Sequence, residues 1–163
     1  MNCHAIAPAG PNDPVQTPYL FTNFAYQNTG APKNPGNPFY SLPGALNLNG
    51  SNFIDAGHST VVNDPLEKGK FKIPSLRNVA VTPPYMHNGV FSTLRTVIVF
   101  NNTRDEKTAN WPAPEVPENV HRHMPMPDGS CMPNKFGCLK LTDDEVDAIV
   151  SFLGTLTDGF KLP

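Results

Sequence analysis

Met1-Asn2-Cys3-His4 opens the chain and decides how the rest of it is read. A cysteine followed directly by a histidine is the right-hand end of C-x-x-C-H, the attachment motif for c-type haem. That motif needs two thiols for thioether bonds to the porphyrin, and a histidine in the same segment whose imidazole reaches the iron. Met1 and Asn2 then take the two spacer places, and the first cysteine belongs just before Met1. That placing points to a fragment, a split subunit or a miscalled start. Cys-His on its own also arises by chance, so its weight comes from what lies downstream.

The chain has 163 residues, enough for one domain around one core. A net charge of -2 with no basic run argues against nucleic acid or an anionic membrane as partner. No apolar run approaches the ~18 residues of a membrane span. The first residues carry neither a charged n-region nor an apolar h-region, so they do not read as a secretion signal. Nineteen prolines and 12 glycines, with only 16% charged residues, argue against long surface helices. The reading is a loop-rich, all-α domain with a few short helices. Such a domain has little core of its own, and a buried prosthetic group would supply the missing apolar mass.

Residues 5–50 are crowded with turn formers, so long elements are not expected there. Tyr19, Phe21, Phe24 and Tyr26 form an aromatic cluster in that run, either pinning an extended segment to the core or lining a cofactor pocket. Ser75 to Val81 reads as a short helical pattern that Pro83-Pro84 stops. Asn88-Gly89 reads as a tight turn. Ser92 is the expected cap of a helix from Thr93 to about Asn101, in which Leu94, Val97, Ile98 and Asn101 share one face. The amide of Asn101 then points where the apolar residues point. Either the helix frays there or the amide has a partner, since an unpaired buried polar group costs roughly 1–3 kcal/mol. An irregular insert covers about 106–140. Thr142-Asp143-Asp144-Glu145 is a capping box that opens a helix with Val146, Ile149, Val150, Phe152, Leu153 and Leu156 as its apolar stripe.

Several segments occur together and in order: Phe21-Thr22-Asn23-Phe24, Asn28-Thr29-Gly30, Asp64 to Gly69, Phe71 to Val79, Thr82 to Gly89, Thr93-Leu94-Arg95, Asn102 to Asp105, and Leu141 to Gly159. With Cys3-His4 in front of them, the chain resembles the C-terminal, electron-transfer domain of the di-haem cytochrome c peroxidase and MauG-like family. The resemblance implies a single cytochrome c-like domain over residues 1–163, with the family's N-terminal haem domain absent or separate. It implies one covalent haem c, with Cys3 as thioether and His4 as proximal iron ligand. It implies that Arg77, Tyr85, Met86, His87 and Asn101 lie near the haem pocket. It also implies a weak calcium site at the carbonyls of Thr82 and Pro84, part of whose ligand set belongs to the other domain. A periplasmic location follows from the same likeness. So does a small electron-donor cytochrome or cupredoxin as partner, and a homo-oligomer is left open.

The departure from the family is Asn101, whose position supplies the distal ligand there, as Met or Tyr. A neutral amide is a poor ligand for an iron that prefers thioether or imidazole. Either the sixth position is open or water-ligated, or Met124 or Met126, each held before a proline, has taken over. Cys131 and Cys138 are read as a disulfide, with zinc on His121, His123 and both cysteines, or free thiols, as alternatives. The leading function is electron transfer in a protein that reduces hydrogen peroxide. Against it stand a haem-free remnant used for assembly, a MauG-like maturation partner, and an open haem site of sensor or oxygenase type.

Overall fold

Two helices carry the packing of the chain, and loops carry most of the rest. The computed structural model describes residues 3–4 and 20–159. Tyr19 and the prolines before it therefore lie outside the described residues. Helix α1 is a single turn, Ser59–Val62, and helix α2 spans Leu94–Thr103. Helix α3 spans Asp143–Thr155 and opens with the expected capping box. The Thr142 hydroxyl accepts from the Glu145 amide, and the Glu145 carboxylate accepts from the Thr142 amide. Three acidic residues in that first turn complement the positive helix end.

The cap of α2 differs from expectation. Thr93, in extended conformation, takes the role given to Ser92, and its hydroxyl accepts from the Thr96 amide. The helix also runs to Thr103, past Asn101, so Asn101 is not at a frayed end. Ser75 to Val81 is not one helical segment either: only Val79–Val81 forms a 3-10 turn. Asn78 sits left-handed before that turn, where its amide donates to the Leu156 carbonyl and its side chain accepts from the Asp158 amide. The pull of the α3 terminus overrides the local helical pattern.

Ile98 of α2 with Val146 and Leu153 of α3 form the buried centre, and Leu76, Val79, Leu94, Val99, Leu141, Ile149, Val150 and Leu156 pack around it. Phe152 leaves the expected stripe. It is 48% exposed and meets Phe21 edge-on at 6.0 Å. On the other side of α2 the fully buried Phe100 touches Phe91 and Trp111, with ring centroids 5.1 Å from each.

All-α overstates the class. Strand β1, Tyr26–Gln27, pairs antiparallel with strand β2, Phe71–Lys72, Tyr26 opposite Lys72 and Gln27 opposite Phe71. The pair forms because the segment 22–27 is tied alongside 71–73. The Thr22 hydroxyl donates to the Ile73 carbonyl, and the Ile73 amide donates to Ala25. Gly69 and Pro74 bracket β2, which keeps it short. Gly69 is fixed by both backbone and space. Its φ is +76°, and an added Cβ would lie 2.4 Å from the Asn28 side chain.

Leu153→Ala removes a central contact between α2 and α3. It is expected to lower unfolding stability by about 2–4 kcal/mol in a urea titration, and a loss below about 0.5 kcal/mol would place the core elsewhere.

Candidate functional site

His4 and Cys3 are held by the segment 20–24. The Ser75 hydroxyl donates to the Leu20 carbonyl, and Thr22 is tied to Ile73. Between these ties Phe21 has a left-handed φ of 51°, an arrangement that costs a bulky residue about 1–3 kcal/mol. The turn presents the Phe21 carbonyl to the His4 ring, with Nδ1 2.7 Å from the oxygen. A carbonyl only accepts, so Nδ1 carries the proton and Nε2 keeps its lone pair. The neighbouring Cys3 has a free, half-buried thiol, and its carbonyl accepts from the Asn23 amide at 3.0 Å. An oriented imidazole with a free Nε2 suits an iron ligand, and the free thiol beside it suits one of the two thioether bonds of a c-type haem.

Arg77 borders the same neighbourhood. With Phe21, Thr155, Leu156, Thr157 and Asp158 it lines a cleft of about 190 Å³, and its guanidinium donates to Asp158 at 3.1 Å. Phe24, further along, is exposed, with the Lys72 ammonium 5.0 Å from its ring centre. Tyr26 stacks on His58 at 3.8 Å. These rings pin a segment, and among its described members Phe21 alone makes a bond to His4.

Asn101 lies on α2. Its Oδ1 is buried without a hydrogen-bond partner, alone in this among the described side chains. The helix end around it is stitched to the loop that carries the cysteines. The Gly137 amide donates to the Asn101 carbonyl, Leu139 to the Asn102 carbonyl, and the Asn102 side chain both donates to and accepts from Leu141. Cys131 and Cys138 are joined, with sulfurs 2.05 Å apart. The Glu106 carboxylate lies near both sulfurs, but sulfurs bonded to each other offer no thiolate to a zinc ion. His121 and His123 face each other edge-on at 5.2 Å, and His121 also meets Phe136. Met124 is 81% exposed and Met126 39%, so neither thioether is buried.

The remaining predicted residues form a separate neighbourhood. The Tyr85 hydroxyl donates to the Val79 carbonyl, burial raises its pKa, and its backbone pairs with Phe91. Met86 takes a left-handed φ of 70°, and its carbonyl closes the expected turn at Gly89. Thr82 and Pro84 are exposed. The His87 ring lies flat on Phe71, 3.6 Å between centres, and its Nε2 meets the Glu115 carboxylate at 3.3 Å. Its contacts thus run to Phe71 and Glu115 rather than to Cys3 or His4.

Sequence reasoning missed Glu115 and Arg104. The Glu115 side chain is 2% exposed and also takes a bond from the Asn88 amide at 2.9 Å. Arg104 is 4% exposed, and its guanidinium holds Asp105 and the carbonyls of Thr29 and His121. Arg-Asp side by side just after a helix was the available signal for Arg104. Nothing local marks Glu115.

No protein-family model matches the chain. It is 43% identical over 148 residues to the methylamine utilization protein MauG of Paracoccus denitrificans, covering 85% of this chain and 35% of that protein. It is 40% identical over 86 residues to a cytochrome-c peroxidase of Denitromonas iodatirespirans, covering 46% of this chain and 23% of that protein. The diheme peroxidase BthA of Burkholderia thailandensis superposes with a TM-score of 0.62 at 32% identity, covering 86% of this chain and 35% of that one. The chain belongs to the MauG-like di-haem peroxidase family. It spans about a third of the length of MauG and of BthA. Membership makes it a peroxidase-like haem protein and implies c-type haem. Among the described residues, no helix is long and apolar enough to cross a membrane.

Residues of this family member fit the implied group on one side. Cys3 and His4 Nε2 would hold it, and Asn101 brings a buried acceptor that the chain itself leaves unmet.

His87 gives the stability of the fold a pH dependence. Burial lowers its pKa, outweighing the opposing pull of Glu115 and of Asp55. With the folded-state value depressed, the unfolded chain takes up the proton first as pH falls. The stability that neutral His87 contributes is therefore complete above its ordinary pKa of 6.5 and is lost as pH falls through the lower, folded value. His87→Gln is expected to make the urea midpoint fall less steeply between about pH 7 and 5; an unchanged slope would contradict burial as the cause.

Proposed function

We propose that this chain carries one covalent haem c on Cys3, with His4 Nε2 as the proximal iron ligand, and that it serves as an electron-transfer domain. The observation that carries the reading is the His4 ring, fixed by its Nδ1–H bond to the Phe21 carbonyl so that Nε2 is the free nitrogen. A carbonyl bond at the far nitrogen fixes the ring orientation and raises the basicity of the coordinating one. When bound, the haem supplies a one-electron centre. The residues of the chain hold and orient it. Phe21 aims the imidazole, Cys3 anchors the porphyrin edge, and Arg77, paired with Asp158, offers positive charge beside the cleft next to Phe21.

The activity of the whole protein is part of the same proposal, since the chain matches only 35% of MauG. Hydrogen peroxide is reduced to water with two electrons delivered by a small cytochrome or cupredoxin. A second haem, on a separate or N-terminal half, carries the peroxide chemistry. The periplasm suits both the covalent haem and the Cys131–Cys138 disulfide. Calcium at the Thr82 and Pro84 carbonyls stays a weak suggestion, because both residues are exposed. A variant reading, an open distal position, is favoured by one observation. The residue on α2 is an amide with an unmet oxygen, and both loop methionines are exposed.

The test is the intact mass of protein purified from cells that mature c-type cytochromes, beside a pyridine haemochrome spectrum. The expected result is an increment of one haem that survives denaturation and disappears in Cys3→Ala. Protein without haem, or haem that Cys3→Ala retains covalently, would overturn the assignment.

A further inference from the structure

We infer that the Asn101 side chain binds a small ligand carrying an O–H or N–H group, water in the resting state, on the distal side of the haem. The inference rests on the haem reading of Cys3 and His4. Its starting point is the one buried side-chain acceptor without a donor among the described residues, Asn101 Oδ1. The helix continues to Thr103, so fraying does not wet this oxygen.

Nearby donors are already committed. The Asn102 amide donates to the Leu141 carbonyl, and the Thr103 hydroxyl donates to Val99. Trp111 Nε1 donates to the Thr103 oxygen. The Gly137 and Leu139 amides go to backbone carbonyls of α2. A buried acceptor left unmet costs enough to shift a folding equilibrium about tenfold or more. With these donors of the described residues spent, the missing donor is assigned to a bound molecule.

The chemistry of the amide selects its class. A neutral amide oxygen cannot donate, so it gains nothing from carbon monoxide or another ligand without hydrogen. As a direct iron ligand it is hard and weak, whereas iron of this type takes imidazole or thioether. It is suited to accept from a molecule that stands between it and the iron. Water, an amine or an imidazole N–H meets that requirement.

The experiment uses the full haem-loaded chain, with imidazole and 1-methylimidazole as probes, because they coordinate alike and differ in the N–H. The native protein is expected to show an open or water-bound ferric spectrum and to prefer imidazole. Asn101→Leu is expected to reduce that preference about tenfold, the size of one lost hydrogen bond. Asn101→Met, which replaces the acceptor by a thioether, is expected to turn the spectrum low-spin and to block both probes. It provides the readout if the leucine variant fails to fold. A native low-spin spectrum that Asn101→Leu leaves unchanged would overturn the inference while keeping the haem reading. So would an unchanged probe preference, or an Asn101→Met protein that still binds imidazole as before. Protein without covalent haem would overturn both together.

Discussion

The last turn of α2 is the joint on which the arrangement depends. A helix end leaves carbonyls without intrahelical partners, and each must be met or paid in desolvation. Here the partners come from the loop 137–141. Gly137 and Leu139 donate to Asn101 and Asn102, and the Asn102 side chain binds both backbone groups of Leu141. That loop leads straight into the capping box of α3. The same stitch therefore ends one helix, starts the next and sets where their apolar faces meet. Arg104, one turn on, extends it by binding the carbonyls of Thr29 and His121, so the insert and the segment after β1 are held to the same helix end.

The polar interior follows from composition. Nineteen prolines leave few backbone ladders, so side chains must do what helices and sheets do elsewhere. Asn28 donates to the Val116 and Glu118 carbonyls and accepts from the Gly30 amide. Asn47 donates to the carbonyls of Phe39 and Gly50 and accepts from the Asn49 amide. Both are buried, and both are satisfied several times over. Against that background one unmet amide oxygen at Asn101 is an exception that calls for a physical cause.

What could be read in advance was what is local. The α3 capping box and the α2 periodicity are each short patterns whose physics is complete within a few residues. The pattern at Ser75–Val81 failed because Asn78 is claimed by Leu156 and Asp158 at the end of α3, 78 and 80 residues further along the chain and outside any local window. The strands β1 and β2 were hidden for the same reason, being only two residues each and brought together by Thr22 and Ile73. The Phe21 carbonyl, central to how His4 is oriented, has no side-chain signature at all. Glu115 likewise depends on Asn88 and His87 arriving from another segment.

The placing of His4 and of Asn101 differs in kind. The imidazole is fixed by a carbonyl that is itself fixed through a costly left-handed Phe21, so the fold spends stability to aim one nitrogen. Asn101 is aimed by a helix that continues past it and by a loop bonded to its backbone, so its oxygen cannot turn away to find water. One residue offers a strong ligand with its second nitrogen satisfied. The other offers a weak acceptor with nothing satisfied. On the reading proposed above, a haem held between those two would be firm on the side of His4 and exchangeable on the side of Asn101. Electron transfer favours a centre held firmly on both faces, since movement of ligands on reduction slows the exchange. On that reading, exchange at the second face would follow from one amide in place of a stronger ligand.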